Sequence, residues 1–523
     1  MAAEGGIRLR SSALILVLSG LTLVLGFAVQ VALAATLGTS REMDIFLVAV
    51  TLPTLLATVS LTVSSFFLVP ALNERLTTRG DAAATALAAT TVRRSALVAF
   101  VVVVALEVGA APAIRVVAPG LDPDAVRSAA ALLRIMLIGS LFDLLRGVLT
   151  AIQYSRDRFL LPQLAPSLNH ALLVLSALFL LKPFGLVGLA TGWSLGSLAM
   201  FVALLPALRG LHVLRPNAGV PLSEPGVGGG GLLPILVVAG LTQLSPVIDR
   251  LVASLLPAGS ISYLGYGSKM LEILVRTVPM AVALSAFPVL SRHAASGDRD
   301  RLRSTALAAL RWALLGAVPL ALGVLVFRVQ IVRVLFQRGA FDAEATRNVA
   351  RACAWYAVAF VPASVAYLFN HVLFAARKAW FLAGVGLGSL VLTAALDLAL
   401  ARTSGFVGVA QAFLVVSTVQ VVILGGFLQL RWRQFSGALL LPFTAQVAGA
   451  CAAMAATWAA TWTLTKAWST TLPALWLGFD VGAGLAVFVL VLWWLRNSEL
   501  RSALEGLSGT IGRSRPVAGS ETR

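Results

Sequence analysis

LVPALNERLTTRGD, from Leu68 to Asp81, and AFPVLSRHAASGD, from Ala286 to Asp298, are two versions of one pattern. Each closes a long apolar run. Each supplies a proline, a short basic turn and a Gly-Asp pair, and Arg-studded sequence then enters the next apolar run. The echo continues downstream at an offset of roughly 220 residues. PGLDPDAVRSAA (Pro119 to Ala130) lies over RGAFDAEATRNVA (Arg338 to Ala350), which sets Asp122 over Asp342 and Arg127 over Arg347. AIQYSRDRF (Ala151 to Phe159) lies over LFAARKAWF (Leu373 to Phe381). Internal symmetry in a polytopic chain marks a transporter built from two homologous halves with its substrate site between them.

The apolar runs around these motifs dominate the chain. Its 523 residues are 59% hydrophobic and 12% charged, with a mean hydropathy of +0.92. Runs of bilayer-crossing length recur from Ser12 to Leu495, about fourteen in all. They are too long, and alternate too little, for strands. The sequence therefore predicts an all-α polytopic membrane protein. The duplication predicts two pseudo-symmetric six-helix lobes, with two C-terminal helices outside the repeat. Six spans per half is an even number, so the halves enter the membrane in the same sense and relate by an axis along its normal.

The boundaries follow from composition. Residues 1–11 form a short N-terminus, 12–208 the first lobe and 209–230 a linker. The linker contains Pro216, Pro221, Pro225 and the glycines Gly228 to Gly231, a flexible composition. Residues 231–430 form the second lobe and 431–496 the two extra spans. The polar Gly/Ser/Arg-rich tail, 497–523, reads as disordered. The first apolar run lacks a small-residue cleavage site and reads as a span rather than a removed signal.

The net charge of +18 does not point to nucleic acid. The arginines sit in short turns between apolar runs, and in alternate turns. Arg8, Arg10, Arg75, Arg79, Arg156, Arg158, Arg292, Arg299, Arg377 and Lys378 belong to one set, and Arg41, Arg115, Lys182 and Arg328 to the poorer one. The positive-inside rule then places both termini in the cytoplasm. The two cysteines, Cys353 and Cys451, lie inside apolar runs, so neither a disulfide framework nor a metal site is expected. No catalytic constellation stands out. The four histidines are scattered, and Gly384, Gly386 and Gly388 sit in an apolar helix, where helix packing is their reading.

Charges inside spans carry the functional signal, since each costs about 2.5–3.5 kcal/mol at mid-bilayer. Lys269, Glu272 and Arg276 share one helical face at i, i+3 and i+7, with Glu272 able to pair with either cation. Asp143 and Arg146 recur at i, i+3, and Asp249 and Arg250 follow Pro246. Gln30 and Asp44 flank the first loop. Glu107, Asp397 and Asp480 read as isolated. Each group has a structural alternative, an ion pair or a snorkelling residue, and for Asp44 a cap on the helix beginning at Ile45. Lys269, Glu272, Arg276, Asp44, Arg250 and Arg146 are the candidate substrate-binding residues, the cationic excess suiting an anionic substrate. Pro53 and Pro279, at comparable places in the second span of each half, are candidate hinges.

Three stretches carry a resemblance: GFAVQVALAATLGTSREMDIFLVAVTLPTLL (Gly26 to Leu56), ASLLPAGSISYLGYGSKMLEILVRTVP (Ala253 to Pro279) and LFQRGAFDAEAT (Leu335 to Thr346). Through them, residues 12–495 resemble the lipid II flippase family (MurJ, also called MviN) of the MOP flippase superfamily. The resemblance implies fourteen spans, two six-helix lobes in a V, and a central cavity alternating between cytoplasm and periplasm. It implies a polyprenyl-pyrophosphate-linked saccharide as substrate, and a groove for the lipid tail in the final two spans. It implies the bacterial cytoplasmic (inner) membrane as the location, in peptidoglycan biogenesis. The family's cavity aspartate matches Asp44, its eighth-span arginine corresponds to Lys269, and the neighbouring glutamate matches Glu272. Its first-lobe arginines are replaced here by Leu23, Val29 and Ala57, and their acidic neighbour by Gln30.

The leading expectation is thus a flippase and not an enzyme. It has no cofactor beyond a coupling ion or the membrane potential. It acts as a monomer, with its lipid-linked substrate, membrane lipids and cell-wall synthesis proteins as partners. A MATE-like small-molecule exporter and a transport-inactive scaffold for cell-wall enzymes are the alternatives.

Overall fold

In the computed structural model the described residues are 2–210, 229–432, 441–465, 473–497 and 499–501, and they contain helices and no strands. Most of the expected linker, and residues 502–523 of the expected tail, lie outside them. In the first half, α1 (Ala2–Leu37) is followed by α2 (Arg41–Ala49), α3 (Thr51–Val63) and α4 (Val69–Arg79). Then come α5 (Asp81–Val108), α6 (Ala110–Val117), α7 (Pro123–Tyr154), α8 (Leu160–Leu175), α9 (Leu181–Phe184) and α10 (Leu186–Leu204). The second half has α11 (Gly229–Ser254), α12 (Ser260–Ala295), α13 (Arg299–Phe336), α14 (Ala343–Ala375), α15 (Ala379–Ser404) and α16 (Phe406–Trp432). The chain closes with α17 (Leu441–Thr465) and α18 (Pro473–Trp494).

Among the described residues, twelve helical stretches are long and apolar enough to cross a membrane. Helices α11 and α17 occupy the places of the seventh and thirteenth expected runs. The third run shifts: the helix starts at Asp81 and stops at Val108, where Gly109 breaks it, and the short α6 follows. Many large apolar side chains on the spans face outward, Val24, Leu97, Phe179 and Val422 among them. Such surface suits hydrocarbon, in which only closed backbone hydrogen bonding is tolerated.

The repeat is visible in the turns. Asp122 accepts a hydrogen bond from Ala125 N–H at 2.8 Å at the start of α7, and Asp342 accepts one from Ala345 N–H at 2.7 Å at the start of α14. Helix α7 ends with Asp157 in the left-handed region, φ 55°, and α14 with Arg377, φ 57°. Arg158 N–H then reaches the Gln153 carbonyl, and Lys378 N–H the Leu373 carbonyl, both at 2.9 Å. This closes the freed carbonyls of a helix end. Gly185 and Gly405 make the same turn, φ 58° and 59°.

The two proline positions differ. Pro53 cannot donate to the Ala49 carbonyl, and the helix is interrupted at Val50, between α2 and α3. Five residues of π-helix, Ser64–Leu68, interrupt the same span again before α4. Pro279 sits inside a continuous α12.

The chain divides into two compact units. One holds residues 1–266, 335–349 and 379–412; the other holds 267–334, 350–378 and 413–523. A core in the first gathers Leu72, Leu87, Leu149, Ile152 and Leu204 at one end of its helices. A core in the second gathers Phe327, Phe443, Met454, Trp458 and Phe488, joining α13 to the α17–α18 pair. There Trp458 donates its indole N–H to the Asp480 carbonyl at 2.8 Å, and Gly484 leaves room for the ring.

Candidate functional site

In the first unit, four loops converge at one end: those after α1, α6, α11 and α13. Ala340 N–H donates to the Ala35 carbonyl at 2.8 Å, and Gly120 N–H donates to Ser254 Oγ at 3.1 Å. Arg41 and Asp122 form an ion pair. The backbones touch so closely that only glycine fits. A Cβ on Gly38 would stand 2.3 Å from the Ala340 oxygen, and one on Gly339 2.1 Å from the Ala35 oxygen. Under the loops lies an aromatic cluster, with Tyr266 5.2 Å from Phe336 and 5.3 Å from Phe341 between ring centres. The Tyr266 hydroxyl donates to the Gly38 carbonyl at 3.1 Å.

Asp44 is buried at the centre of this end. It does not cap its own helix: Ser40 does, accepting from Met43 N–H. The alternative of a cap beginning at Ile45 is therefore corrected, because the helix already starts at Arg41 and Asp44 lies inside it. Instead Asp44 Oδ2 accepts Gly259 N–H at 2.6 Å, and Oδ1 accepts Ser262 N–H at 2.8 Å and the Ser262 hydroxyl at 2.5 Å. The carboxylate thus caps the N-terminus of α12, where unpaired N–H groups and the helix dipole favour negative charge.

Three further charge groups sit within spans. Arg250, half-buried on α11, donates to the Thr51 hydroxyl on α3. Its neighbour Asp249 lies near Asp397 of α15. Asp397 is fully buried, and neither of its carboxylate oxygens meets a donor among the described residues. Asp143, buried on α7, accepts Arg146 Nε–H at 2.9 Å on Oδ1 and the Ser197 hydroxyl of α10 at 2.7 Å on Oδ2.

In the second unit, Lys269 Nζ–H donates to Glu272 Oε2 at 2.7 Å, and both side chains remain partly exposed, 45% and 42%. The side chain of Arg276 lies outside the described residues. Pro53 and Pro279 are both buried in their helices. Gly386 packs against the Leu241 side chain of α11, 3.3 Å from an added Cβ, which is a helix-packing role.

The sequence reading paired Asp143 with Arg146 and Lys269 with Glu272. It missed Ser197, Ser262 and the approach of Asp249 to Asp397. An isolated acid in a span, as Asp397 is, is a signal in itself, since a buried carboxylate needs a proton, a cation or a donor. Among the described residues no group of three His, Cys, Asp or Glu side chains could hold a metal ion.

Residues 33–477 match the family model described as "Lipid II flippase MurJ". A curated relative from Burkholderia cenocepacia, "Lipid II flippase MurJ", is 30% identical over 367 residues, covering 66% of this chain and 70% of its own length. A solved structure titled "Lipid II flippase MurJ, inward closed conformation" superposes with a TM-score of 0.78 at 18% identity, over 93% of this chain and 99% of that one. An inward-facing multidrug resistance MATE family transporter of the MOP superfamily superposes with a TM-score of 0.66 at 16% identity, over 79% of this chain and 94% of that one.

Proposed function

This chain belongs to the MurJ family of lipid II flippases, and on that premise we propose that it moves lipid II, or a closely related polyprenyl-pyrophosphate-linked saccharide, from the cytoplasmic to the outer leaflet of the bacterial inner membrane. The observation that carries the reading is the family match over residues 33–477. The chain is a multi-pass membrane protein and a transporter. The likeness to MATE transporters, at 16% identity, reaches the fold alone.

The loop cluster around Asp44 supports a specific role: it is the closed outer gate. Gly38, Gly339 and Gly120 bring backbones together there, and Asp44 ties α2 to the start of α12. Opening the outer side breaks those three hydrogen bonds, and a substrate has to offset that loss through contacts made better in the open state. Lys269, beside Glu272, places an ammonium at a partly exposed position. The ammonium carries three donors, one of which goes to Glu272, so it is able to meet an anionic headgroup. The Asp249–Asp397 pair is the place for a coupling proton or monovalent cation. Neither oxygen of Asp397 meets a donor among the described residues, and a buried carboxyl needs a proton, a cation or a donor. Both termini lie in the cytoplasm, on the strength of the Arg-rich alternate loops.

The test is complementation of a strain depleted of its own lipid II flippase. The reading predicts restored growth and loss of the lipid-linked precursor that accumulates in the inner leaflet. Normal expression without rescue, with the precursor still accumulating, would remove it.

A further inference from the structure

Arg146 is built to present its guanidinium fork rather than to spend it. It lies eight residues before the end of α7, about 12 Å along the axis, within the membrane-crossing stretch Pro123–Tyr154. A cation at that depth is costly unless it is paired or functional. Its partner is Asp143, one turn earlier, but the pairing is incomplete in an informative way. Asp143 Oδ1 takes the Nε–H of Arg146 at 2.9 Å, while Oδ2 takes the hydroxyl of Ser197 at 2.7 Å. A bidentate arginine–carboxylate pair needs both oxygens. Here Oδ2 is turned toward Ser197 of α10 instead of toward the guanidinium fork. Only the Nε–H of Arg146 is hydrogen-bonded among the described residues, and the side chain keeps 12% exposure against 2% for Asp143.

The backbone beneath is fixed from two sides. Ser60 of α3 donates its hydroxyl to the Leu144 carbonyl at 2.7 Å. Gly147 lies so close to that serine that a Cβ would meet its Oγ at 2.4 Å. On the other side Ser197 of α10 holds Asp143, and Ser194 of the same helix donates to the Ile135 carbonyl at 2.7 Å. Arg146 is thus pre-oriented by helices α3 and α10. The other described candidate cations lack such a held fork: Lys269 is a flexible ammonium that donates to Glu272, and Arg250 donates to Thr51 beside Asp249. Planar N–H pairs held in place match the oxygens of a phosphate, and at this depth a phosphate arrives attached to a lipid.

We infer that Arg146, held by Asp143 and Ser197, binds the phosphate oxygens of a lipid headgroup, and that in this protein the headgroup is the diphosphate of the lipid-linked carrier. The second half of that statement rests on the flippase reading given above. Asp143 and Ser197 act through Arg146 and are positioning residues.

The experiment measures binding of a polyprenyl diphosphate to the full chain in neutral phosphatidylcholine nanodiscs. The polyprenol of equal chain length and phosphatidylglycerol are the comparison ligands. The paired variant Asp143→Asn with Arg146→Gln removes both charges together, so no lone buried ion remains, and its folding is checked by thermal unfolding. It should bind the diphosphate about tenfold more weakly and the polyprenol unchanged. Ser197→Ala keeps every charge but frees Asp143 Oδ2 to capture an Nη group. It should weaken diphosphate binding about threefold, a loss that charge alone does not predict. Arg146→Lys keeps the charge without the fork and should fall between the two.

Wild-type affinity for the diphosphate in the folded paired variant overturns the inference and leaves the flippase reading standing. Unchanged affinity in Ser197→Ala overturns it too, and that variant serves if the paired one fails to fold. An equal loss for phosphatidylglycerol overturns the assignment to the carrier. Absence of diphosphate binding in every form, the wild type included, overturns both the inference and the flippase reading.

Discussion

Asp44 shows how one side chain ties distant sequence together. Its carboxylate accepts from Gly259, 215 residues later, and from Ser262, 218 residues later. Asp44→Asn would turn one oxygen into a donor facing an N–H, a loss of about 1–3 kcal/mol. Ser262→Ala removes only the hydroxyl contact and costs about 1 kcal/mol. Thermal unfolding in detergent should therefore rank Asp44→Asn below Ser262→Ala, with transport falling in the same order; equal melting temperatures would contradict the capping role. Lys269→Ala should abolish complementation at normal protein level, since the ammonium that meets the anion is gone, and Lys269→Arg should preserve it. Full growth on Lys269→Ala would remove this lysine from the site. Which residues bear charge inside spans was legible from the sequence, and so were the two i, i+3 pairs, because one helix turn brings them together. The partners that Asp44, Asp143 and Asp397 find on other elements were not. They come from other helices, and a serine hydroxyl or a backbone N–H leaves no mark in an apolar pattern.

At the scale of elements, the turns were the most readable part. Asp122 and Asp342 were aligned by sequence and share their geometry, because a cap is a local device; Arg377 was aligned with Ser155, whereas its left-handed turn matches that of Asp157, two residues further on. The hinge positions were less readable. Pro53 and Pro279 occupy similar places, yet only the first interrupts its helix. The loop contacts yield a sharp comparison. Gly339→Ala has to push a Cβ into the Ala35 carbonyl, whereas Gly405→Ala, with nearly the same φ, meets open space. The first should lower stability by more than the roughly 1 kcal/mol of backbone strain expected for the second, and should also impair transport. Comparable losses in both variants, read by thermal unfolding and complementation, would show that the loop contact carries no weight.

For the whole molecule, the alternation of Arg-rich loops predicts an orientation with both termini in the cytoplasm. A cysteine introduced at Thr78 or Ser296 should be protected from an impermeant thiol reagent in intact cells, and one at Ala258 should label. The reverse pattern would invert the topology and move the Asp44 gate to the cytoplasmic side. The class of the protein was legible in hydropathy and repetition, because crossing a bilayer constrains every span in the same way. How the α17–α18 pair packs on α13 was not, since Trp458 against Phe327 and Phe488 is a tertiary contact between outwardly similar apolar helices. Transport of a lipid-linked precursor is measured with purified protein in liposomes carrying lipid II on both leaflets, by following how much becomes accessible to an external modifying enzyme over time. Nearly complete accessibility with wild-type protein, and about half, the outer leaflet alone, with Lys269→Ala, is the predicted result. Accessibility that stays at half with correctly folded wild-type protein, under every ion gradient applied, would contradict it.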